Sequence, residues 1–235
     1  MRKVAVIVAL ALVAPASASS PGVVHATTGA GLYAANCAKC HGPDGEGSSG
    51  PNLGGVGALA ADFYLRTGYM PLARVGEQPV ASRVLFSQRE LRQLIAYVAS
   101  LGGPPPPTPD PASGSVAEGR ELFTLHCSGC HQVVAEGGVM PGAKAPPLKR
   151  ATPQQIAEAV RIGPYVMPRF SARDISDAEL DSLIAYVDYA KRPDDAGGWA
   201  IDHLGPFPEG MVTWGIAGVV LVATCMLLGE RLKRP

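Results

Sequence analysis

Residues 37–41 read Cys37-Ala38-Lys39-Cys40-His41, and residues 127–131 read Cys127-Ser128-Gly129-Cys130-His131. C-x-x-C-H is the pattern of covalent c-type haem attachment. Two thiols add to the two vinyl groups of the porphyrin, and the two-residue spacer sets their separation. The histidine that follows is placed to ligate the iron from one face. A thioredoxin-like redox pair does not require that histidine, and a zinc site needs four ligands at its own spacings. The twin motifs therefore predict two covalently attached c-type haems, with Cys37, Cys40, Cys127 and Cys130 as thioether positions and His41 and His131 as axial ligands.

The sequence around the two motifs repeats. Aligning Cys37 with Cys127 places Gly29 on Gly119, Leu32 on Leu122 and Tyr33 on Phe123. Downstream, Glu90-Leu-Arg-Gln-Leu-Ile-Ala-Tyr-Val98 matches Glu179-Leu-Asp-Ser-Leu-Ile-Ala-Tyr-Val187 at seven of nine positions. Each run is preceded by a capping-box pattern, Ser87-x-x-Glu90 and Ser176-x-x-Glu179, ahead of apolar residues at helical spacing. Leu91, Leu94, Ile95 and Val98 form that stripe in the first half, where residues 82–101 are predicted as helix and Gly102-Gly103 as its end. A short helix is predicted before each motif, and Gly42-Pro-Asp-Gly-Glu-Gly47 is loop by composition. The period of about ninety residues marks a tandem domain duplication, with domains at 29–101 and 116–192.

Between them, residues 102–115 carry six prolines (104–107, 109 and 111). This composition predicts an extended, semi-rigid spacer of about 3.1 Å per residue. Residues 1–18 read as a secretory signal peptide, with Arg2-Lys3, an apolar run from Val4 to Val13 and Ala16-Ser17-Ala18; an uncleaved anchor is the competing reading. Residues 193–210 form a Gly/Pro-rich juxtamembrane segment. Residues 211–229 carry no charge, and at 1.5 Å per residue they reach about 28 Å, enough to cross a hydrocarbon core. Trp214 lies near one end, and the tail 230–235 holds Arg231, Lys233 and Arg234. The positive-inside rule predicts a single-pass cell-membrane protein with a cytoplasmic C-terminus and both haem domains outside. The fifth cysteine, Cys225, lies inside this apolar run and reads as a small hydrophobe. The formal net charge is zero, which argues against nucleic acid as a partner.

The sixth iron ligand decides between electron transfer and ligand chemistry, because a methionine thioether opposite the histidine raises the potential and closes the iron. Met70, in Arg66-Thr-Gly-Tyr-Met70-Pro71, and Met167, in Arg161-Ile-Gly-Pro-Tyr-Val-Met167-Pro168, stand in matching context before the final helix of each half. Met140, in Met140-Pro141, and His126, beside Cys127, are rivals in the second half. His25 and His203 fall outside both domains and read as solvated or interfacial.

Each half resembles a class I cytochrome c domain, a small all-helical fold whose last helix packs across the first. The resemblance implies an all-α protein of two tandem cytochrome c domains plus one C-terminal transmembrane helix. It implies that Pro51, in Gly-Pro-Asn-Leu53, accepts the second ring N–H of the first axial histidine. Pro146, in Ala-Pro-Pro-Leu148, has that role in the second, although alanine replaces glycine there. The whole chain resembles the dihaem cytochrome c subunit of the actinobacterial menaquinol-oxidising cytochrome bc complex, a likeness that includes Gly197-Gly198 and Gly205-Pro-Phe-Pro-Glu-Gly210. That family implies a cytochrome b subunit, a Rieske iron–sulfur subunit as donor to the first haem, and a terminal cytochrome oxidase as acceptor from the second. The chain itself is then an electron-transfer subunit of a quinol–cytochrome c reductase and not catalytic alone. The dihaem subunit of a cbb-type oxidase and a tethered carrier for a dehydrogenase are alternatives of the same chemistry. A dihaem peroxidase or a haem sensor would need an open iron.

Overall fold

The structure is a computed structural model that describes residues 24–193 and 206–233. The signal-type segment, His203 and residues 194–205 of the juxtamembrane segment lie outside the described residues. The chain divides into two compact units, residues 1–107 and 108–235.

The first unit holds α1 (Gly29–Asn36), α2 (Ala38–His41), α3 (Gly57–Arg66) and α4 (Gln88–Ser100). At eight residues α1 is too short to persist alone, so packing must hold it. Leu32 and Tyr33 are fully buried beside Leu91 and Leu94 of α4. The two helices meet at Gly29, where a Cβ would run into the Gln93 carbonyl and lie 3.1 Å from Tyr97 Cβ. One residue turn further on, the Tyr33 and Tyr97 rings pack with centroids 4.8 Å apart.

The α4 helix starts at Gln88 and not at residue 82. The reciprocal capping box ends it there: the Ser87 hydroxyl accepts from Glu90 N–H, and the Glu90 carboxylate accepts from Ser87 N–H. Residues 82–86 instead lie outside any helix. Ser82 donates to the Gly68 carbonyl at 2.6 Å, and Phe86 enters the core. Ahead of α1, His25 reaches Glu90 Oε1 at 2.6 Å and Thr27 O accepts from Gln93 Nε2, so the segment holding His25 is tied to this unit.

Bonds from Ser87 and then His25 hold the Glu90 carboxyl down at about 2, against an ordinary 4.5. A carboxyl whose folded pKa is depressed stabilises the fold above its ordinary value, and that contribution disappears as pH falls toward the folded value. Glu90→Ala is therefore expected to lower the first unit's melting temperature above pH 4.5, with the gap to wild type closing as pH approaches 2. A gap independent of pH would show that the cap acts without the charge.

The second unit holds a 3-10 turn (Pro111–Ser113), α5 (Val116–His126), α6 (Ser128–His131), a hairpin of β1 (Gly138–Met140) and β2 (Ala143–Ala145), α7 (Pro153–Ile162) and α8 (Asp177–Lys191). The antiparallel hairpin pairs Met140 with Ala143 across Pro141-Gly142, a small departure from a purely helical chain. The α5–α8 crossing repeats that of α1 and α4. Gly119 faces the Ser182 carbonyl, and Phe123 packs on Tyr186 at 5.4 Å.

The proline-rich stretch is anchored at both ends. Leu59 N–H donates to Pro104 O at 3.2 Å, and Gly103 passes against Gly55 and Gly57 too closely for a Cβ on any of them but Gly55. On the other unit, Asp110 N–H donates to Asp181 Oδ1 at 2.7 Å and Ser115 N–H to Ser182 Oγ at 3.0 Å.

The last element is α9 (Pro206–Lys233), which contains an apolar run of 23 residues, Gly210–Leu232, long enough to cross a membrane. Among the described residues nothing covers it: Met211, Trp214 and Val219 are each more than two-thirds exposed. An exposed apolar face of this length belongs in hydrocarbon, and the protein is membrane-anchored. Deleting residues 211–235 is expected to move both folded units from washed membranes into the soluble fraction, followed on a haem-stained gel. Retention in the membranes, after a carbonate wash that strips partner contacts, would overturn the anchor.

Candidate haem-binding sites

In both units the first cysteine of the motif closes one helix and opens the next. Cys37 N–H donates to Tyr33 O at 2.8 Å, ending α1, while Cys37 O accepts from Cys40 N–H at 3.1 Å and His41 N–H at 3.0 Å. Cys127 does the same, accepting from Cys130 N–H at 3.1 Å and His131 N–H at 2.9 Å. A single helical turn thus puts the two thiols three residues apart on one face, with the histidine one step beyond. Burial, and then the neighbouring cysteine, pushes the Cys37 and Cys127 thiols up to about 11.

The imidazoles are oriented from behind. His41 Nδ1 lies 2.8 Å from Pro51 O, and His131 Nδ1 lies 3.1 Å from Pro146 O. A proline carbonyl can only accept, so Nδ1 carries the proton and Nε2 keeps its lone pair for a metal. Burial holds His131 below the ordinary imidazole value and so favours its neutral, ligating form, against the opposing pull of the Pro146 bond. The loops carrying these prolines pass close to the motif. A Cβ on Gly50 would sit 3.1 Å from the His41 ring, and one on Gly138 would sit 2.9 Å from Cys130 O.

A buried tyrosine hydroxyl pins the chain just after each motif, but from different helices. Tyr33 of α1 donates to Gly42 O at 2.8 Å, whereas Tyr186 of α8 donates to Val133 O at 2.7 Å. The sequence reading missed this exchange, because the repeat replaces Tyr33 by Phe123 and gives no sign that the hydroxyl has moved to the facing helix.

The two candidate methionines sit in the loops between the third and last helices of their units. Met70 is half-buried, and its N–H donates to Tyr64 O at 3.1 Å. Met167 is half-buried against the apolar cluster that also contains Cys127, with Phe170 and Leu148 beside it. Arg161 of α7 holds this loop, donating to Phe170 O at 3.3 Å and Ile175 O at 2.8 Å and pairing with Asp177 at 2.7 Å. The rivals lie elsewhere. Met140 is at the turn end of the hairpin, whose two strands start beside Cys130 O and end at Pro146, the side of His131 that carries Nδ1. His126 is exposed on α5 with its ring edge on Phe170. Cys225 is exposed on α9.

Two helical units, each built around a C-x-x-C-H turn whose histidine is tied through Nδ1 to a proline carbonyl, define a dihaem c-type cytochrome. The sequence profile of the family described as cytochrome C oxidase, cbb3-type, subunit III matches twice, at residues 24–98 and 114–187. The chain is 36% identical to the cytochrome bc1 complex cytochrome c subunit of Corynebacterium diphtheriae, over 86% of this chain and 80% of that protein. It is 35% identical to the subunit of the same name from Mycobacterium tuberculosis, over 93% of this chain and 82% of that protein. The cbb3-type cytochrome c oxidase subunit CcoP of Azospirillum is more distant, at 30% over 68% of this chain and 60% of that protein. The chain belongs to the family of cytochrome bc1 complex cytochrome c subunits, and it carries two covalently bound c-type haems on two cytochrome c domains.

Proposed function

We propose that this chain carries single electrons from a Rieske iron–sulfur subunit through its first haem domain, 29–101, to its second, 116–192, and on to a terminal oxidase. It does so as the cytochrome c subunit of a quinol–cytochrome c reductase that also contains cytochrome b. When bound, each haem supplies a one-electron Fe(III)/Fe(II) couple. Cys37 and Cys40, and Cys127 and Cys130, hold the two porphyrins through thioethers. His41 and His131, oriented by Pro51 O and Pro146 O, would ligate the irons through Nε2, and Met70 and Met167 would supply the second ligand of each. The haem domains lie outside the membrane, exported by the N-terminal segment, with the C-terminus in the cytoplasm.

The observation that carries this reading is the duplicated histidine–proline pair in a chain that aligns over most of its length with subunits of the bc1 complex. A closed, methionine-capped iron favours electron transfer over peroxide or ligand chemistry. The profile match to cbb3-type subunit III favours the dihaem subunit of a cbb-type oxidase as the second reading. One purification separates the two. The chain, tagged at its C-terminus and extracted in mild detergent, is expected to bring down b-type haem and a Rieske protein with quinol-oxidising activity. Recovery with a haem–copper oxidase but no Rieske protein would instead establish the second reading.

A further inference from the structure

The bonds behind each motif histidine close a ring. In the first unit the chain runs from His41 to Gly45, whose carbonyl accepts from Leu53 N–H at 2.7 Å. Two residues before Leu53 is Pro51, whose carbonyl lies 2.8 Å from His41 Nδ1. The second unit repeats the ring with its own residues. Ala135 O accepts from Leu148 N–H at 2.9 Å, and Pro146 O lies 3.1 Å from His131 Nδ1. The position of each proline carbonyl is therefore set by the turn that follows the motif. If the turn moves, the carbonyl moves with it. The ring closes at Nδ1, the imidazole atom that does not ligate.

Each turn is tied down by a buried hydroxyl, Tyr33 onto Gly42 O and Tyr186 onto Val133 O. The two tyrosines are not counterparts in the duplication. Tyr33 aligns with Phe123, and Tyr186 aligns with Tyr97. In both units an aromatic pair joins the helix before the motif to the last helix of the domain, Tyr33 with Tyr97 and Phe123 with Tyr186. The rings alone satisfy that packing, as Phe123 shows. A hydroxyl nevertheless reaches the turn in both units, from α1 in one and from α8 in the other. A bond that is kept while its donor changes helix has a role that ring packing does not supply.

We propose that Tyr33 and Tyr186 are positioning residues for electron transfer, each fixing the turn behind an axial histidine and so holding down the potential of the haem that histidine serves. The hydroxyl keeps the turn in place, and the turn keeps the proline carbonyl on Nδ1–H. That bond raises the basicity of the imidazole and makes Nε2 a stronger donor to the iron. A stronger donor favours Fe(III) over Fe(II). Loss of the hydroxyl loosens the bond, weakens donation and raises the potential. The two haems are tuned from different places. Tyr33 lies on the helix that leads into its own motif, nine residues before Gly42, whereas Tyr186 ties α8 to a turn 53 residues earlier. The second potential therefore depends on how α8 seats against the motif, a dependence that the Tyr33 bond does not give the first. The inference rests on the reading of His41 and His131 as iron ligands.

The test is a redox titration of the full-length protein in detergent, followed in its c-type absorption band. Tyr33→Phe and Tyr186→Phe remove the hydroxyls and keep the rings. Each is expected to raise one of the two midpoint potentials, a different one in each variant, and to leave the other as in wild type. At a fixed ambient potential the ratio of reduced to oxidised iron at the affected haem should rise about three- to tenfold, the equilibrium worth of one hydrogen bond. The low-spin spectrum and the haem-stained gel should match wild type. In the double variant Phe123→Tyr, Tyr186→Phe the hydroxyl returns to the helix that supplies it in the first unit, and the second potential is expected to move back toward the wild-type value. A purely structural role would lower the melting temperature and leave both potentials in place, so unmoved midpoints in both single variants would overturn the proposal. Midpoints that fall, or loss of the low-spin spectrum in both, would overturn it as well. His41→Ala and His131→Ala test the ligand reading separately. If both keep the wild-type spectrum, the histidines are not ligands, and that reading falls together with the role of the tyrosines.

Discussion

Gly119→Val is expected to abolish the native packing of the second unit while the first unit still melts as in the wild type. The reason is the closeness of α5 and α8. A Cβ at residue 119 would run into the Ser182 carbonyl and lie 2.9 Å from Tyr186 Cβ. A backbone carbonyl cannot rotate away as a flexible side chain could, so the helices must separate. Overpacking a core side chain typically costs about 1–3 kcal/mol, and a clash against backbone exceeds that range. Separation also strips contact from Phe123, Leu180 and Leu183, which are at most 2% exposed. Domain stabilities are about 5–15 kcal/mol, so a loss of about 4 kcal/mol or more leaves little of the fold. The check is a denaturant titration followed by circular dichroism in the haem absorption band, where the two units should give separable transitions. Wild-type midpoints for both would mean that the helices do not meet at Gly119. Gly29→Val should do the same to the first unit, where a Cβ meets the Gln93 carbonyl and lies 3.1 Å from Tyr97 Cβ.

These crossings could be read from sequence because the duplication aligned Gly29 with Gly119 and the aromatic residues after them. The two terminal helices likewise carried complete signals, a capping box followed by an apolar stripe. The third helix of each unit did not stand out. α3 begins at Gly57 with φ 71° and has no side-chain cap, so its start leaves no mark. α7 does have one, Thr152-Pro153-x-Gln155, a capping box with proline in the first turn; that pattern would have located it. The hairpin escaped because three-residue strands are too short to show alternation. Its Pro141-Gly142 pair, with Gly142 at φ 78°, has the residues of a type II turn and was the only clue. The anchoring of the spacer left no local mark either. Proline composition sets local extension, but the bonds from Leu59 to Pro104 and from Asp110 to Asp181 join residues far apart in sequence, and no local pattern announces them.

Met70→Ala is expected to open the first iron to carbon monoxide without releasing its haem. Attachment depends on Cys37 and Cys40, which the substitution does not touch. The loop's path depends on main-chain bonds, Met70 N–H to Tyr64 O at 3.1 Å and Ser82 N–H to Thr67 O at 3.3 Å, which alanine preserves. Tyr69 remains packed on Phe63. Truncation therefore empties the distal position and leaves its walls standing. Removing the thioether should also lower the first potential, so that under the proposed function the donor no longer reduces this site readily and quinol-driven turnover falls severely. The reduced protein should show a carbon monoxide difference spectrum absent from the wild type, with haem still bound on a denaturing gel. No new carbon monoxide binding would remove Met70 from the ligand set. The same change at Met167 should be less clean. That side chain packs with Phe170 and Leu148 against the apolar cluster, and emptying such a site typically costs about 2–5 kcal/mol when fully buried. Being half-buried, Met167 should fall at the lower end, so Met167→Ala should combine an open iron with a lowered melting temperature. A difference between the two variants in stability, with carbon monoxide binding in both, would separate the shared role of the methionines from the packing that only the second one carries.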